Sequence, residues 1–438
     1  MHVPGANEDT LRITTVGRYQ ILILVLGILV MFADGFDAQM VGFVAPSLTH
    51  AWGVTNTVFS PVFAANVFGL MIGSMTIPVL ADMIGRKLII VACVTLFGLA
   101  SMATALVTNV QELSIMRLIS GLTLGGAMPC VISFGSDYFP VKIRTRLAVL
   151  LSTAWSLGIA ICGIVTGGLV ETRGWQAIFF IGGVLPLVLA PILLFVLPES
   201  PAFLIAKGRL DQLRAILAKI DPNLGYAPEA APPPLPRFPL TALFRPGLVG
   251  TTLLVWLAYV SAGVTVYFFL QWMGILVRDS GYSTGQAAYV SSLYQFGGMV
   301  GGIFISIAVD RWGAIALTGS LLLASLAVAC LGLAAPSLIV LAVCAALTGA
   351  LVVGSQNTSN AYVGSRLYPS EIRASGLGWA LGVLRLSGVI AGSWGLGLLI
   401  DLNLGPVSTL RIIALPEVVA ALAFLGIHFV LRARARQA

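Results

Sequence analysis

Apolar and polar stretches alternate along nearly the whole chain of 438 residues. About 20 apolar residues are enough to cross a bilayer core as a helix, because each helical residue adds about 1.5 Å. The pattern predicts twelve transmembrane helices, called segments 1 to 12: 20–48, 57–80, 88–108, 112–137, 147–170, 175–197, 247–272, 285–308, 314–334, 337–363, 374–400 and 407–430. We therefore expect an all-α membrane protein.

The distribution of charge predicts the orientation of these segments. Only 9% of the residues are charged and the mean hydropathy is +0.99, whereas a soluble chain carries about 25% charged residues. Nineteen of the 24 lysines and arginines fall in the two tails and in every second connection, beginning with connection 2–3. Basic residues favour the cytoplasmic side. We expect a multi-pass protein of the inner membrane with both termini in the cytoplasm. Because this topology accounts for the basic residues, the net charge of +7 does not indicate a nucleic-acid partner.

The sequence offers no support for other kinds of chemistry. Its five cysteines fall inside apolar segments, without a Cys-x-x-Cys pair or a cluster of histidines. A disulfide framework and a metal site are therefore not expected. No phosphate-binding loop and no nucleophile–base motif is present. We expect neither catalytic residues nor a cofactor.

The long connection between segments 6 and 7 divides the chain into two halves. The predicted domains are an N-terminal six-helix bundle (1–198), a cytoplasmic linker (199–245) and a C-terminal six-helix bundle (246–438). Within the linker, Pro201 to Ile220 has helical periodicity and is expected on the membrane surface, and Pro228 to Pro239 predicts a semi-rigid spacer.

The two halves carry repeated motifs. Asp82-Met-Ile-Gly85 follows segment 2, and Asp310-Arg-Trp-Gly313 follows segment 8, 228 positions later. A Pro-x-x-Ile-Arg motif ends at Arg144 after segment 4 and again at Arg373 after segment 10, 229 positions later. Repeated bundles with a site between them are typical of alternating-access transporters. We expect two pseudo-symmetric bundles of six helices.

Two carboxylates, Asp34 and Asp37, lie near the centre of segment 1. A charge at that depth costs at least about 2.5 kcal/mol, so such residues usually have a function. Their spacing of three places both on one face of a helix. We expect them to carry protons. The structural alternative is that one of them only pairs with Arg117 to hold segments 1 and 4 together.

Arg117 and Arg385 are the two arginines inside segments. Arg117 of segment 4 is expected to reach Asp37 and to share in proton coupling, unless it extends to the outer interface. Arg385 lies near the midpoint of segment 11 and is expected to bind a substrate carboxylate through bidentate hydrogen bonds. A permanent ion pair with Asp34 or Asp37 is its alternative role.

Aromatic and amide side chains concentrate in the second half. Rings stack on a flat aromatic solute, and amides and hydroxyls read its substituents, although Tyr and Trp also line membrane interfaces. Besides Arg385, the candidate substrate-binding residues are Tyr259, Tyr267, Gln271, Tyr294, Gln295, Gln356, Asn357 and Trp379.

Charged residues at the cytoplasmic helix ends of both halves predict a gate. Acidic and basic groups there can bridge helices when the cytoplasmic side is shut and separate when it opens. The alternative is ordinary solvated charge that sets the topology. The candidate gate residues are Asp82, Arg86, Asp137, Arg144, Asp310, Arg311, Glu371 and Arg373.

Several motifs resemble the major facilitator superfamily. Asp82-Met-Ile-Gly85-Arg86-Lys87 resembles its loop 2–3 signature, and Arg117-x3-Gly121-x3-Gly125 resembles its fourth-helix motif. Leu197-Pro-Glu-Ser-Pro201 is similar to the segment that follows helix 6 in sugar porters. Asp34-Gly-Phe-Asp37, followed by Gly42-Phe-Val-Ala-Pro46, resembles the first helix of the aromatic acid:proton symporter family. The resemblance implies a major facilitator fold and proton-coupled uptake of an aromatic acid.

These features together predict a symporter that imports an aromatic carboxylate, such as 4-hydroxybenzoate or protocatechuate, with protons. The alternative cargo is another organic anion (muconate or nicotinate) or a sugar-like solute. An efflux antiporter is disfavoured because Ile164 replaces the proline of the antiporter element in segment 5. A membrane sensor is disfavoured because no signalling domain is found. We expect a monomer whose partners are its substrate, protons and the lipid bilayer.

Overall fold

The predicted apolar segments fold into long helices. The computed structural model describes residues 16–139, 141–220, 243–245, 247–334, 336–368, 373–389 and 405–437. Within these ranges the chain has no β-strand and forms fourteen α-helices: α1 (Arg18–Trp52), α2 (Ser60–Ile84), α3 (Arg86–Thr104), α4 (Val110–Tyr138), α5 (Val141–Arg173), α6 (Trp175–Val196), α7 (Pro201–Ala206), α8 (Leu210–Ile220), α9 (Val249–Asp279), α10 (Thr284–Trp312), α11 (Ala314–Leu331), α12 (Leu338–Tyr362), α13 (Arg373–Ser387) and α14 (Gly405–Gln437).

Eleven of these helices, all except α7, α8 and α13, are long and apolar enough to cross a membrane. Helix α13 covers the first part of predicted segment 11, and residues 390–404 lie outside the described part of the chain. The prediction of an all-helical, multi-pass membrane protein is therefore confirmed. The count of twelve spans stays a prediction for segment 11.

Helices α1 and α9 run side by side in the same direction. Gln39 donates a hydrogen bond to the carbonyl of Leu270, and Arg278 donates one to the carbonyl of Pro46 at 2.7 Å. Both contacts join the later halves of the two helices. The starts of α1 and α9 therefore lie at one face of the bundle.

Helices α9 and α14 run in opposite directions. Thr265 donates a hydrogen bond to the carbonyl of Ile413 at 3.1 Å, and further along the pair Gly426 lies against Leu254. The end of α14 is thus at the face where α1 and α9 begin. We call this the terminal face and the opposite one the distal face.

Equivalent helices pair in the two halves. Helix α2 packs along α4, and α10 packs along α12. Gly73 of α2 lies against the carbonyl of Leu122, and Gly297 of α10 lies against the carbonyl of Ala346. These are the second and fourth helices of each half, so the packing follows the repeat in the sequence.

The hydrophobic core differs between the two faces. Towards the terminal face, α1–α8 and α9–α14 have largely separate apolar clusters. Towards the distal face, one cluster draws residues from both sets, among them Phe63 and Trp272, whose rings meet edge to face at 5.4 Å. Within the described residues, the two sets of helices are therefore joined mainly at the distal face.

The first part of the linker packs against the N-terminal helices. Its place on the membrane surface stays a prediction. The helical periodicity of Pro201 to Ile220 appears as two helices, α7 and α8, separated at Gly208, which has φ +68°. The apolar face of α8, with Leu213 and Leu217, packs into the core of the N-terminal helices. The predicted spacer from Pro228 to Pro239 lies outside the described residues.

Candidate functional site

A buried ion pair joins α1 to α4. Asp37 and Arg117 are both 0% exposed, and their side chains approach to 3.4 Å. The carboxylate of Asp37 also accepts hydrogen bonds from the hydroxyls of Ser101 and Ser120. Three donors from two helices, α3 and α4, surround this carboxylate, so its negative charge is well compensated.

Arg117 stays inside the bundle and does not extend to an interface. It donates to the hydroxyl of Thr104 at 2.9 Å, and its guanidinium lies 5.4 Å from the ring centroid of Phe179. The ring face attracts this fully buried cation. Its Nε atom has no hydrogen-bond partner among the described residues, so one donor of the guanidinium is unused.

Asp34 lies on the same face of α1, one turn before Asp37, in a different environment. It is 2% exposed. One oxygen accepts a hydrogen bond of 3.0 Å from the indole of Trp155 on α5. The other oxygen has no partner within the described part of the chain. Of the two predicted acids, Asp34 is thus the one with an open acceptor.

Arg385 approaches Asp34 from the C-terminal helices. It lies on α13, half-buried, beside the hydroxyl of Tyr267 on α9. Asp34 and Arg385 are within electrostatic reach of each other, although they make no ion pair within 4 Å in the described structure. Asp34 and Arg385 therefore lie where the two sets of helices face each other.

The predicted polar cluster is partly assembled on α9, α10 and α12. The hydroxyl of Tyr259 donates to the side-chain oxygen of Asn360 at 2.9 Å, and Gln356 donates to the same oxygen at 3.0 Å. Four further predicted residues are buried on α9 and α10: Tyr267, Gln271, Tyr294 and Gln295.

Two of the predicted substrate residues are exposed. Asn357 lies next to buried Gln356 on α12 but on the exposed side of that helix. Trp379 is 38% exposed, and its ring lies 6.3 Å from that of Trp256. The structure therefore separates these two from the buried cluster.

The predicted gate is only partly described. Asp310 pairs with Arg366 at 2.7 Å, an exposed contact within the C-terminal helices that the sequence did not suggest. Arg311 lies over the ring of Trp312, and Arg86 is half-buried at the start of α3. Glu371 and the side chains of four other candidates lie outside the described residues: Asp82, Asp137, Arg144 and Arg373. The gate therefore stays a prediction.

The distal face is held shut by contacts between the two sets of helices. Besides the bond from Arg278 to Pro46, the carboxylate of Glu171 on α5 accepts a hydrogen bond of 3.2 Å from the backbone N–H of Gly285. Gly285 lies in the first turn of α10, where an acid is favoured by the helix dipole. These contacts lie between the site and the distal surface.

Sequence reasoning missed several residues that complete the site. Ser101, Ser120 and Trp155 are ordinary residues in apolar segments, and only the fold brings them to the acids. Glu417 is different because an acid inside segment 12 is itself a signal of function. It lies near the middle of α14 and is 1% exposed.

A bundle of membrane-length helices that holds buried charged groups and repeats its helix packing in two halves is typical of a secondary transporter. The chain belongs to the Major Facilitator Superfamily, whose sequence model matches residues 27–430. The predicted family and fold class are thereby confirmed, and the protein is a transporter and not an enzyme.

Similar proteins include transporters from pseudomonads. The 4-hydroxybenzoate transporter PcaK of Pseudomonas aeruginosa is 36% identical over 93% of this chain and 92% of its own length. The gallate transporter of Pseudomonas putida is 35% identical over 96% of this chain and 94% of its own length. Among solved structures, a bacterial homologue of the human lysosomal transporter Spinster matches with a TM-score of 0.74 at 17% identity, covering 95% of this chain and 99% of that one.

Proposed function

We propose that the protein is a proton-coupled symporter that imports an aromatic carboxylate, of the 4-hydroxybenzoate or protocatechuate type, by alternating access. The observation that carries this proposal is the approach of Arg385 to the buried acid Asp34 from the opposite half of the molecule. The similarity to transporters of 4-hydroxybenzoate and gallate supports the choice of substrate class. The function needs protons as the coupling ion and no cofactor.

Substrate recognition is assigned to Arg385 and its neighbours. A guanidinium binds a carboxylate through two parallel hydrogen bonds, and Tyr267 beside it presents a ring and a hydroxyl. The buried amides of Gln271, Gln295 and Gln356 suit the ring substituents. These groups favour a hydroxylated aromatic acid over an aliphatic anion.

A sugar-like cargo has less support. The Pro-Glu-Ser-Pro motif that suggested it has a structural role, because Glu199 accepts hydrogen bonds from the backbone N–H groups of Lys87, at 3.1 Å, and Ser200, at 2.9 Å. The motif therefore fixes the start of α3 to the end of α6. A neutral sugar would also leave Arg385 without a counter-ion.

Proton coupling is assigned mainly to Asp34. Its free oxygen can bind a proton, which removes the negative charge that faces Arg385. Arg385 is then available for the substrate carboxylate, so proton and substrate bind together. Asp37 and Arg117 hold the adjacent charges in place throughout this step.

The orientation and the cycle follow from the charge pattern. We assign the terminal face to the cytoplasm, because 19 of the 24 lysines and arginines belong to that side. The six-helix halves would then rock about the site between two conformations. In one, as seen here, the distal face is closed; in the other, the predicted gate closes the terminal face. A monomer in the inner membrane is sufficient for this cycle.

The experiment that tests the proposal is uptake by purified protein in lipid vesicles. An inward proton gradient should drive accumulation of radiolabelled 4-hydroxybenzoate, and muconate, nicotinate and a sugar serve as competing solutes. Asp34→Asn should still exchange substrate across the membrane but should not accumulate it. Equal accumulation with and without the gradient would contradict the coupling.

Arg385→Gln should weaken binding of the acid at least about tenfold, because a charge-assisted hydrogen bond is worth about 1.5–3 kcal/mol. Ligand-induced thermal stabilisation measures this loss without transport. Arg385→Lys keeps the charge but not the planar fork and should be intermediate. Arg214→Gln, at an exposed position on α8, is the matched control. Unaltered binding in Arg385→Gln would point to a neutral substrate.

A further inference from the structure

Glu417 is a buried acid that the proposed transport site does not use. It follows Pro416 near the middle of α14 and is 1% exposed. Neither carboxyl oxygen has a hydrogen-bond partner among the described residues. No lysine or arginine of that part of the chain forms an ion pair with it. An ionised carboxylate in such a place would cost several kcal/mol, whereas the neutral acid costs far less.

The helices packed around α14 present hydroxyls to this carboxyl and no charge. Helix α9 contributes Thr265, which lies beside Glu417. Helix α10 contributes Tyr294, whose hydroxyl also lacks a partner in the described structure and is within electrostatic reach of Glu417. Helix α11 contains no charged residue. Tyr294 is thus the one other titratable group that the described neighbours bring near Glu417.

The hydrogen bonding of Thr265 indicates which form of the acid this arrangement holds. Thr265 has one hydroxyl proton, and it donates that proton to the carbonyl of Ile413 at 3.1 Å. Only its lone pairs remain, and these can accept from a protonated carboxyl but cannot donate to a carboxylate. A neutral Glu417 fits this hydrogen bonding, whereas an ionised one would require the Thr265 hydroxyl to turn from Ile413 to the carboxylate.

We propose that Glu417 is a second proton-binding site, inside the C-terminal half, that is loaded in this conformation and unloads during the transport cycle. On release, the carboxyl O–H bond breaks and the proton passes to water. The negative charge left on the carboxylate is then met by Thr265, which turns from Ile413, and by the free hydroxyl of Tyr294. The hydroxyls of Thr265 and Tyr294 therefore donate to Glu417 only after its proton has left.

The position of Thr265 connects this site to the substrate. Thr265 lies on α9 two residues before Tyr267, which is beside Arg385. A substrate that displaces Tyr267 also displaces this turn of α9. The Thr265 hydroxyl then changes its position relative to the carboxyl of Glu417. This coupling rests on the proposed symport function, whereas proton binding by Glu417 does not.

Infrared difference spectroscopy of the full-length protein in lipid, between acid and alkaline pH and without substrate, tests proton binding directly. A protonated carboxyl gives a C=O stretch that disappears on ionisation. Glu417→Gln should remove one such carboxyl band, and Asp211→Asn, at an exposed position on α8, should leave the buried-carboxyl region unchanged. An identical difference spectrum in wild type and Glu417→Gln would overturn the proposal.

The coupling is tested by the ratio of protons to substrate in vesicles, with a trapped pH indicator and radiolabelled 4-hydroxybenzoate. Glu417→Gln should lower this ratio by one proton per substrate and keep the dissociation constant within twofold of wild type. An unchanged ratio would overturn a role in coupling. If wild type moves no aromatic acid, the proposed function fails, and the infrared result still decides whether Glu417 binds a proton.

Discussion

Asp37 and Arg117 form a buried ion pair, and neutral substitutions of one or both residues measure how much the balance of the two charges stabilises the fold. Removing one partner of a buried ion pair costs about 3–5 kcal/mol, because the other charge stays in a dry environment. Asp37→Asn should lie at the upper end of that range, since Arg117 would keep only the Thr104 hydroxyl and a ring face. Arg117→Gln should lie at the lower end, since Asp37 keeps two hydroxyl donors.

The double variant Asp37→Asn/Arg117→Gln carries no buried charge and should recover about 2 kcal/mol relative to the sum of the single losses. The free energy of unfolding is measured for all four proteins over the same gradient of denaturing detergent. The pair Asp211 and Arg214 provides the matched control. Its atoms are 3.5 Å apart, close to the 3.4 Å of the buried pair, but its side chains are 99% and 60% exposed. The corresponding cycle there should give no measurable interaction energy.

The result that would refute this reasoning is additivity in the buried pair. If the double variant loses the sum of the two single losses, the two groups do not compensate each other as ions. If Asp37→Asn alone is as stable as wild type, Asp37 is neutral in the folded protein.

Two further predictions concern helix packing. Gly35→Ala should reduce folded yield and transport, because a methyl group there would collide with the carbonyl of Trp155. The control Gly319→Ala, with open space around it, should match wild type. Equal yields of the two variants would show that α1 and α5 can separate at no cost. Glu171→Gln should weaken distal closure by up to about 1 kcal/mol. A cysteine introduced by Ser292→Cys, at a position that α5 covers, should then be labelled faster by a thiol reagent added outside. An unchanged labelling rate would mean that the Glu171 contact does not hold the distal face shut.

The sequence was sufficient to predict the buried charges but not their individual environments. Asp34, Asp37 and Arg117 stood out because charge inside an apolar segment is costly, and that cost applies in any fold. The difference between the two acids depends on Trp155 and two serines from other helices. Nothing in the local pattern marks a tryptophan or a serine as a hydrogen-bond donor to a residue more than 60 positions away.

The fold was predicted where periodicity is long and strong. Segment positions agree with the helices to within several residues, and the paired repeats agree with the packing of α2 on α4 and of α10 on α12. The pattern predicted a helix in the linker but not what its apolar face contacts, because an amphipathic helix has the same pattern whether that face meets lipid or protein. Only the contacts of Leu213 and Leu217 distinguish the two.

The two proposed proton sites determine how much net charge would cross the membrane in each transport cycle. Among the described residues, Asp34 and Glu417 are the carboxyls with a buried oxygen that lacks a donor, and they lie in different halves of the molecule. If both proposed sites load and unload once per cycle, two protons accompany one monovalent acid, and one positive charge moves inward. Uptake should then be accelerated by an inside-negative membrane potential. Glu417→Gln would carry one proton with one anion, so its uptake should no longer respond to the potential while it still responds to the pH gradient.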